Sequence, residues 1–268
     1  MIQITGLDLS VLYGTDAQAA AGGNVGGNPV AALTRAEKDS AKAIAAQAKT
    51  PAVQRDLAIF RAAVAKAKTP KTLLADPAVQ KVLLTVNGLA DQVGYPALAT
   101  KALLSDPKDP KSVAARLPNA NWKAAAATYQ FAVKGLDVIR SAGVQDTIAN
   151  AYAEISWRQS LDATTPGLSD ALTFRDRAAS IKSADDILGD ATLRRVVTTT
   201  LGIPRQLAIQ PLSSQEAAIS SRLDIKQLKD KKFVESFVKR YLVAAASSSD
   251  QALPSRAQLI TQAFGLLL

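Results

Sequence analysis

The sequence predicts an all-α protein: two related multi-helix halves that form a helical bundle array, preceded by a flexible N-terminal arm. The chain of 268 residues is 48% hydrophobic but only 5% aromatic, and alanine supplies much of the apolar content. Alanine favours helices because it loses no side-chain entropy in them. Apolar side chains also recur at helical spacing, as at Leu57, Phe60 and Val64. The third observation is a long stretch that occurs twice.

This repeat relates residues 60–88 to residues 174–202, which lie 114 positions later without a gap. Nine of the twenty-nine pairs are identical, and only one of these is an alanine pair. Solenoid units have periods of about 20–50 residues, so the spacing is typical of a duplicated helical domain instead. The identical pairs are Phe60/Phe174, Arg61/Arg175, Ala65/Ala179, Lys68/Lys182, Leu74/Leu188, Asp76/Asp190, Val82/Val196, Thr85/Thr199 and Gly88/Gly202.

Cap residues divide each copy into short helices. Thr69 and Ser183 are predicted to N-cap one helix, and Asp76 and Asp190 the next. Side-chain oxygens of Thr, Ser and Asp accept hydrogen bonds from the free N–H groups of a first helical turn. The capping interpretation also accounts for the identity of the Asp76/Asp190 pair.

Other signals mark further helix boundaries. Gly88 and Gly202 are predicted to end the second helix of each copy in the left-handed conformation. The Thr34–Glu37 segment has the form of a capping box, so helices are expected to begin near residue 31. Thr50-Pro51 indicates the next start, and Thr165-Pro166 is the matching start in the second copy.

The domain organisation follows from these boundaries. The arm combines an apolar patch at residues 2–13 with a glycine-rich run at residues 15–30. Each copy is expected to end in a helix with aromatic residues on one face, within 122–131 and 233–241, and residues 247–250 are expected to form a loop. The predicted segments are a flexible arm (1–30), a first helical repeat (31–135), a connecting helix (136–164), a second helical repeat (165–246) and a C-terminal tail helix (247–268).

Composition restricts the function. The chain has no cysteine and no histidine, which excludes disulfides, thiolate metal sites, Ser-His-Asp triads and the usual proton shuttle near neutral pH. No catalytic, cofactor-binding or metal-binding residue is assigned, and the protein is not expected to be an enzyme. No secretory signal and no apolar run of 18 residues is present, so no membrane span is expected.

Three patterns have both a functional and a structural interpretation. Acidic residues at 76, 185, 186 and 190 suggest a cation site, but helix capping explains them better. The glycine-rich run 22–27 lacks the Lys-Ser/Thr of a phosphate loop. Net charge is +9, and a basic run could bind nucleic acid or an acidic partner, although interrupting acidic residues also suit a solvated helix face. This run contains Lys226, Lys229, Lys231, Lys232, Lys239 and Arg240. Trp122 and Trp157 are expected in the core.

One family resemblance emerges from the second copy. The run Ser183–Leu193, Leu201-Gly202, the small-small-Arg-Leu step at 220–223 and the aromatic helix ending at 237–242 together resemble the bacterial family called domain of unknown function 1217. Residues 114–117 carry the same step in the first copy. The resemblance covers roughly residues 50–245 and implies two copies in tandem. Pro118-Asn119 and Tyr129-Gln130-Phe131 depart from the family pattern.

The resemblance also implies a role. Genes of this family often lie among flagellar genes, which implies a non-enzymatic structural or accessory interaction protein associated with flagellum assembly or function. Flagellar components are then the expected protein partners. The expected location is the cytoplasm, or outside the cell after export through the flagellar apparatus without a cleavable signal. The alternative is a module that binds nucleic acid or an acidic partner through the basic 226–240 face.

Overall fold

The protein is all-α in the part that the structure describes. The computed structural model describes residues 28–252; this range contains no strand, which confirms the predicted fold class. No helix within it is long and apolar enough to cross a membrane. The predicted apolar patch, the glycine-rich run 22–27 and tail residues 253–268 lie outside the described residues.

Fifteen α-helices, joined by short 3₁₀ helices and turns, make up residues 28–252. They are α1 (Pro29–Gln47), α2 (Pro51–Lys66), α3 (Pro70–Leu74), α4 (Pro77–Val86), α5 (Pro96–Leu103), α6 (Val113–Arg116), α7 (Asn121–Tyr129), α8 (Phe131–Lys134), α9 (Asp137–Arg140), α10 (Ala142–Leu161), α11 (Leu168–Arg177), α12 (Ala184–Gly189), α13 (Ala191–Thr200), α14 (Leu212–Ser220) and α15 (Lys231–Ala252).

Two hydrophobic cores organise these helices. The first core lies between α2, α4 and α10, where Phe60 and Tyr152 are buried. The second lies between α11, α13 and α15, where Phe174 stacks on Phe237 with ring centroids 5.3 Å apart. Burying each such side chain stabilises the fold by roughly 1.5–3 kcal/mol. Helix α1 packs on the second core through Leu33, although it lies at the start of the predicted first helical repeat.

Helix α10 contributes to both cores. Ile148, Tyr152 and Ala153 belong to the first core, whereas Trp157 belongs to the second. The helix therefore passes from one half to the other. The segment 136–164, expected to be a connecting helix, thus contains a helix that packs in both halves, while the exact domain limits stay a prediction.

The predicted aspartate caps are confirmed in both halves. Oδ1 of Asp76 accepts a hydrogen bond from the N–H of Ala78 at 2.8 Å. Oδ1 of Asp190 accepts from the N–H groups of Thr192 and Leu193 at 2.9 and 3.0 Å. The two equivalent residues therefore begin α4 and α13 in the same way.

The preceding helices begin with capping boxes. The hydroxyl of Thr69 accepts from the N–H of Thr72, whose side chain accepts in return from the N–H of Thr69. Ser183 and Asp186 form the corresponding pair at the start of α12. The first-turn acidic residue Asp186 is therefore part of a helix cap.

The glycine pair also has the predicted conformation. Gly88 and Gly202 have φ angles of 68° and 62°. The N–H of Leu89 donates to the carbonyl of Leu84 at 2.8 Å, and the residue after Gly202 makes the corresponding bond at 2.9 Å. This left-handed ending satisfies carbonyls in the last turn of α4 and α13.

Two boundaries near the start of the described chain differ from the prediction. Helix α1 begins at Pro29, because Oδ1 of Asn28 accepts from the N–H of Val30 at 2.9 Å. Thr34 lies inside this helix and its hydroxyl donates to the carbonyl of Val30, so the predicted capping box is wrong. Thr50 precedes Pro51 as predicted, but its hydroxyl donates to the last carbonyl of α1 and leaves α2 without a side-chain cap.

Two later boundaries also differ. Helix α11 begins at Leu168 after Gly167, which has a φ of 82°, and not at Thr165-Pro166. The N–H of Thr165 donates to the carbonyl of Leu161 at 2.9 Å, so this residue still extends the end of α10. The predicted loop at 247–250 is wrong because these residues continue α15, where the hydroxyl of Ser247 donates to the carbonyl four residues earlier.

Helices α10 and α15 take the same place in the two halves. Helix α10 packs on α2 and α4, as α15 packs on α11 and α13. The aromatic helix α15 therefore corresponds to α10, and the expected pairing with the aromatic segment 122–131 is wrong. Equivalent residues are 114 positions apart before this helix and 89 positions apart within it. The first half is therefore 25 residues longer than the second, and the extra residues include α7. The buried pairs at the offset of 89 are Ile139/Leu228, Ile148/Phe237, Tyr152/Tyr241 and Ala153/Leu242.

Candidate functional site

A polar cluster ties three helices of the first half together. Asp56 of α2 accepts hydrogen bonds from Nζ of Lys81 in α4 at 2.7 Å and from the hydroxyl of Tyr152 in α10 at 2.6 Å. Burial alone would raise the pKa of Asp56, but these two hydrogen bonds outweigh it and hold that pKa below its usual value. Burial and the Asp56 carboxylate raise the pKa of Tyr152, so its hydroxyl stays protonated as a donor.

The second half contains the matching cluster. Asp170 of α11 accepts from Nη2 of Arg195 at 2.8 Å and from the hydroxyl of Tyr241 at 3.0 Å. Burial, together with the Asp170 charge, raises the pKa of Tyr241. Asp56 and Lys81 both precede their counterparts by 114 residues. The correspondence therefore extends beyond residues 60–88, and both clusters have the geometry of helix-joining contacts.

A separate polar network joins the two halves. Asp190 is 3% exposed, and its Oδ2 accepts from Nη1 of Arg177 at 2.7 Å and from Nδ2 of Asn121 at 3.3 Å. Nη2 of Arg177 donates to Oδ1 of Asn121 at 3.0 Å, and Nδ2 of Asn121 also donates to the carbonyl of Gly88. Residue 121 at the start of α7 thus binds both halves. We call these four residues the joint.

Close backbone packing reinforces the joint. A Cβ atom on Gly189 would lie 2.5 Å from the carbonyl oxygen of Pro118 and 2.9 Å from its carbonyl carbon. No side chain fits at that distance unless the backbone moves. Pro118 lies three residues before the start of α7. The segment that is longer in the first half therefore supplies both the hydrogen bonds and the backbone contact.

The second half carries an open groove of about 600 Å³. It lies between α13, α15, α14 and the 3₁₀ helix Arg205–Ile209, and its lining is more apolar than polar. We call it the second-half groove. Residues that line it include Thr198, Thr199, Leu207, Ile219 and Ala245.

The corresponding face of the first half is covered. Gln80 and Leu84 of α4 are buried, whereas their counterparts in α13, Arg194 and Thr198, are exposed and half-buried. Nε2 of Gln80 donates to the carbonyl of Pro96 at 3.1 Å, so α5 lies directly over this face. In the second half, α14 packs instead on α12.

The ends of α4 and α13 differ in the same way. A Cβ on Gly88 would lie 3.0 Å from the Asn121 side chain, whereas a Cβ on Gly202 would meet no atom within 4 Å. Nδ2 of Asn87 donates to the hydroxyl of Tyr129 at 2.7 Å. Helix α7 therefore covers the end of α4, while the matching end of α13 borders the open groove.

Apolar side chains are exposed next to this groove. Ile209 is 84% exposed and Leu212 is 56% exposed. They lie at the end of the 3₁₀ helix and at the start of α14, and neither lines the groove itself. We call this pair the apolar rim. It is a candidate protein-binding surface because exposed apolar area gains free energy on burial.

The acidic residues singled out in the sequence do not converge. Asp76 caps α4, Asp185 and Asp186 lie in the first turn of α12, and Asp190 belongs to the joint. Residues 28–252 contain no group of three or more acidic, histidine or cysteine side chains that could hold a metal ion. Capping and ion pairing account for Asp76, Asp186 and Asp190, and Asp185 lies beside the N–H groups of the first turn of α12.

The basic run lies on the surface of the second half. All six of its basic residues are exposed, on the 3₁₀ helix Ile225–Lys229 and the first turns of α15. The guanidinium of Arg240 lies 5.7 Å from the ring centroid of Phe237, which is cation–π distance. Trp122 and Trp157 are buried in the first and second core, as predicted.

Sequence reasoning missed the polar clusters and the joint. Asp56 and Asp170 could have been found by extending the offset of 114 four residues upstream of Phe60. Tyr152 and Tyr241 could not be paired at that offset, because the halves differ in length before α10 and α15. Asn121 carried no signal, since its partners lie 33, 56 and 69 residues away.

Comparison with known proteins gives a family and a fold. No curated protein matches the chain. The X-ray crystal structure of protein AGR_C_984 from Agrobacterium tumefaciens is similar, with a TM-score of 0.66 and 23% sequence identity over 84% of this chain and 96% of that one. At this identity the likeness supports the helical fold alone. Residues 86–234, more than half of the chain, match the family described as "Protein of unknown function (DUF1217)", and the chain therefore belongs to that family.

Proposed function

We propose that this protein is a non-enzymatic structural or accessory interaction protein associated with the flagellum, built from two tandem copies of one helical unit. The matching caps, glycine endings and Asp56 and Asp170 clusters support the duplication. The flagellar association follows from what the family resemblance implies. The expected location is the cytoplasm, or outside the cell after export through the flagellar apparatus.

The observation that carries the interaction role is the apolar rim. Ile209 and Leu212 expose large apolar side chains on neighbouring elements of the second half. Burying each of them against a partner would contribute roughly 1.5–3 kcal/mol. A protein partner with an apolar surface therefore suits this part of the molecule.

Affinity purification from the native cells tests this proposal. The bait is the full chain or the Ile209→Asp/Leu212→Asp variant, and the matched control is Val133→Asp, which changes a residue 67% exposed in the first half. An aspartate in the first turn of α14 suits the positive end of that helix, so the rim variant is expected to stay folded. We expect flagellar components to copurify with the full chain and the control but not with the rim variant.

Two other outcomes would count against the proposal. If no bait recovers flagellar components, the flagellar association is wrong. If every bait instead recovers nucleic acid that roughly 0.5 M salt releases, the alternative function applies, with the basic 226–240 face as the binding surface. Detecting the protein in the culture medium, with and without a working export apparatus, decides between the two locations.

A further inference from the structure

The face of α13 that borders the second-half groove has a counterpart in the first half that a helix covers. There, Nε2 of Gln80 donates to the carbonyl of Pro96 and to the hydroxyl of Thr100, each at 3.1 Å, and α5 lies on this face of α4. In the second half, the residue equivalent to Gln80 is Arg194, which lines the open groove. The first half therefore shows how a short helix occupies such a face.

The helix of the second half that corresponds to α5 lies elsewhere. Helix α14 follows the 3₁₀ helix Arg205–Ile209, as α5 follows the 3₁₀ helix Ala90–Gln92, but α14 packs on α12. Its residues Gln215 and Ile219 line only one edge of the groove. Among the described residues, the place that α5 takes on α4 is therefore left open on α13.

Arg194 presents a positive charge to the groove from an anchored position. Its Nη1 donates to the carbonyl of Leu188 at 2.8 Å, as the side-chain amide of Gln80 donates to the equivalent carbonyl of the first half. The neighbouring Arg195 is paired with Asp170, but Arg194 has no acidic partner within residues 28–252. No described aspartate or glutamate lines the groove either. The Arg194 guanidinium therefore keeps N–H donors available for a carboxylate.

We propose that the second-half groove binds a short amphipathic helix of a partner protein, in the position that α5 takes on α4, and that a carboxylate of this helix pairs with Arg194. The apolar part of the lining, which includes Ile203, Leu207 and Ala245, suits the apolar face of such a helix. Two copies of a chain with a net charge of +9 repel each other, which favours an acidic partner over a second copy. The inference rests on the proposed interaction role and specifies the chemistry of the partner.

Two synthetic peptides test the proposal. Both comprise residues 95–104 of this chain, which contain α5, and both carry a hydrocarbon staple between positions 97 and 101, because isolated helices this short are marginal in water. These two positions are exposed in α5. One peptide carries Thr100→Glu, which places a carboxylate where Thr100 contacts Gln80 in the first half, and the matched peptide carries Thr100→Gln. Fluorescence anisotropy of the labelled peptides measures their affinity for the purified full chain.

We expect the Thr100→Glu peptide to bind about tenfold more tightly than the Thr100→Gln peptide, which corresponds to about 1.4 kcal/mol. Arg194→Gln, which introduces the residue of the first half, should remove this preference. Arg222→Gln is the matched control, because the Arg222 guanidinium also donates to a helix carbonyl, that of Ala218 at 2.9 Å, but lies outside the groove. The control should keep the preference, and circular dichroism checks that each variant retains the helical fold.

Four results would overturn the proposal. If neither peptide binds at concentrations up to about 1 mM, the groove does not accept a helix of this kind. If both peptides bind equally, or if Arg194→Gln leaves the preference unchanged, Arg194 does not select the partner. If the peptide affinity falls as the protein concentration rises, the groove belongs to a second copy. Since the assay uses purified components and no flagellar protein, its failure is distinct from that of the affinity purification, which tests the proposed function through the apolar rim.

Discussion

The buried Asp190 should matter far more to stability than its counterpart Asp76, although both cap a helix. Asp190 uses Oδ1 for two backbone N–H groups and Oδ2 for Arg177 and Asn121. Asparagine caps helices as well as aspartate does, but its side chain has only one acceptor oxygen. Asp190→Asn must therefore give up either the cap or the ion pair with Arg177.

The size of the effect follows from the geometry. A hydrogen bond to a charged group contributes about 1.5–3 kcal/mol. Because the Arg177 side chain is 29% exposed, solvent screening favours the lower end, about 1.5–2 kcal/mol. Asp76 has no ion pair among its described contacts, so Asp76→Asn should cost no more than about 0.5 kcal/mol.

Equilibrium unfolding in urea measures both changes. The two tryptophans report on separate cores, so the single-tryptophan variants Trp122→Phe and Trp157→Phe follow each half by fluorescence. We expect Asp190→Asn to lower the free energy of unfolding seen by both probes, because the joint connects the halves. Equal stability of Asp190→Asn and Asp76→Asn would refute the role given to the joint.

Two further predictions concern backbone packing and pH. Gly189→Ala should destabilise the fold by about 1–3 kcal/mol, because its Cβ would collide with the Pro118 carbonyl; the control Gly143→Ala, with open space around it inside α10, should stabilise it by about 0.5–1 kcal/mol. Thermal unfolding followed by circular dichroism measures both, and equal effects would contradict the collision. Burial raises the pKa of Tyr129 to about 12, above its ordinary value of 10.0. The folded state therefore keeps a proton that the unfolded state loses, and the stability from this group, complete below pH 10, falls as the pH rises toward 12. Tyr129→Phe should show a shallower loss of stability than the unmodified protein between pH 9 and about 11.5, and an identical slope would contradict this assignment.

The parts of the fold that sequence predicts well are those decided by neighbouring residues. Asp76, Asp190 and Gly88 follow local rules of helix capping and left-handed endings, which do not depend on distant packing. Thr34 shows the limit of such rules. Thr34 and Glu37 have the residue types of a capping box. Asn28-Pro29, however, starts the helix about one and a half turns earlier and leaves Thr34 inside it.

The parts that sequence does not predict depend on contacts between distant segments. The place of α1 on the second core follows from the packing of Leu33 and Ala36 against residues more than a hundred positions away. The aromatic pattern of α15 suggested a pairing with residues 122–131, yet its counterpart is α10, whose residues share the offset of 89. The spacing between equivalent residues changes within the repeat. The position of this change cannot be found from helical periodicity alone, because the inserted segment is itself helical.

The difference between the halves explains how two similar units form one asymmetric molecule. Helix α7 packs on α5 and α6 of the first unit, and Asn121 at its start and Pro118, three residues earlier, contact the second unit. The second unit has only residues 221–230 between α14 and α15, so it lacks a counterpart of α7 and of the contacts that Asn121 makes. The segment that makes the first unit longer is therefore also the one that joins the two units.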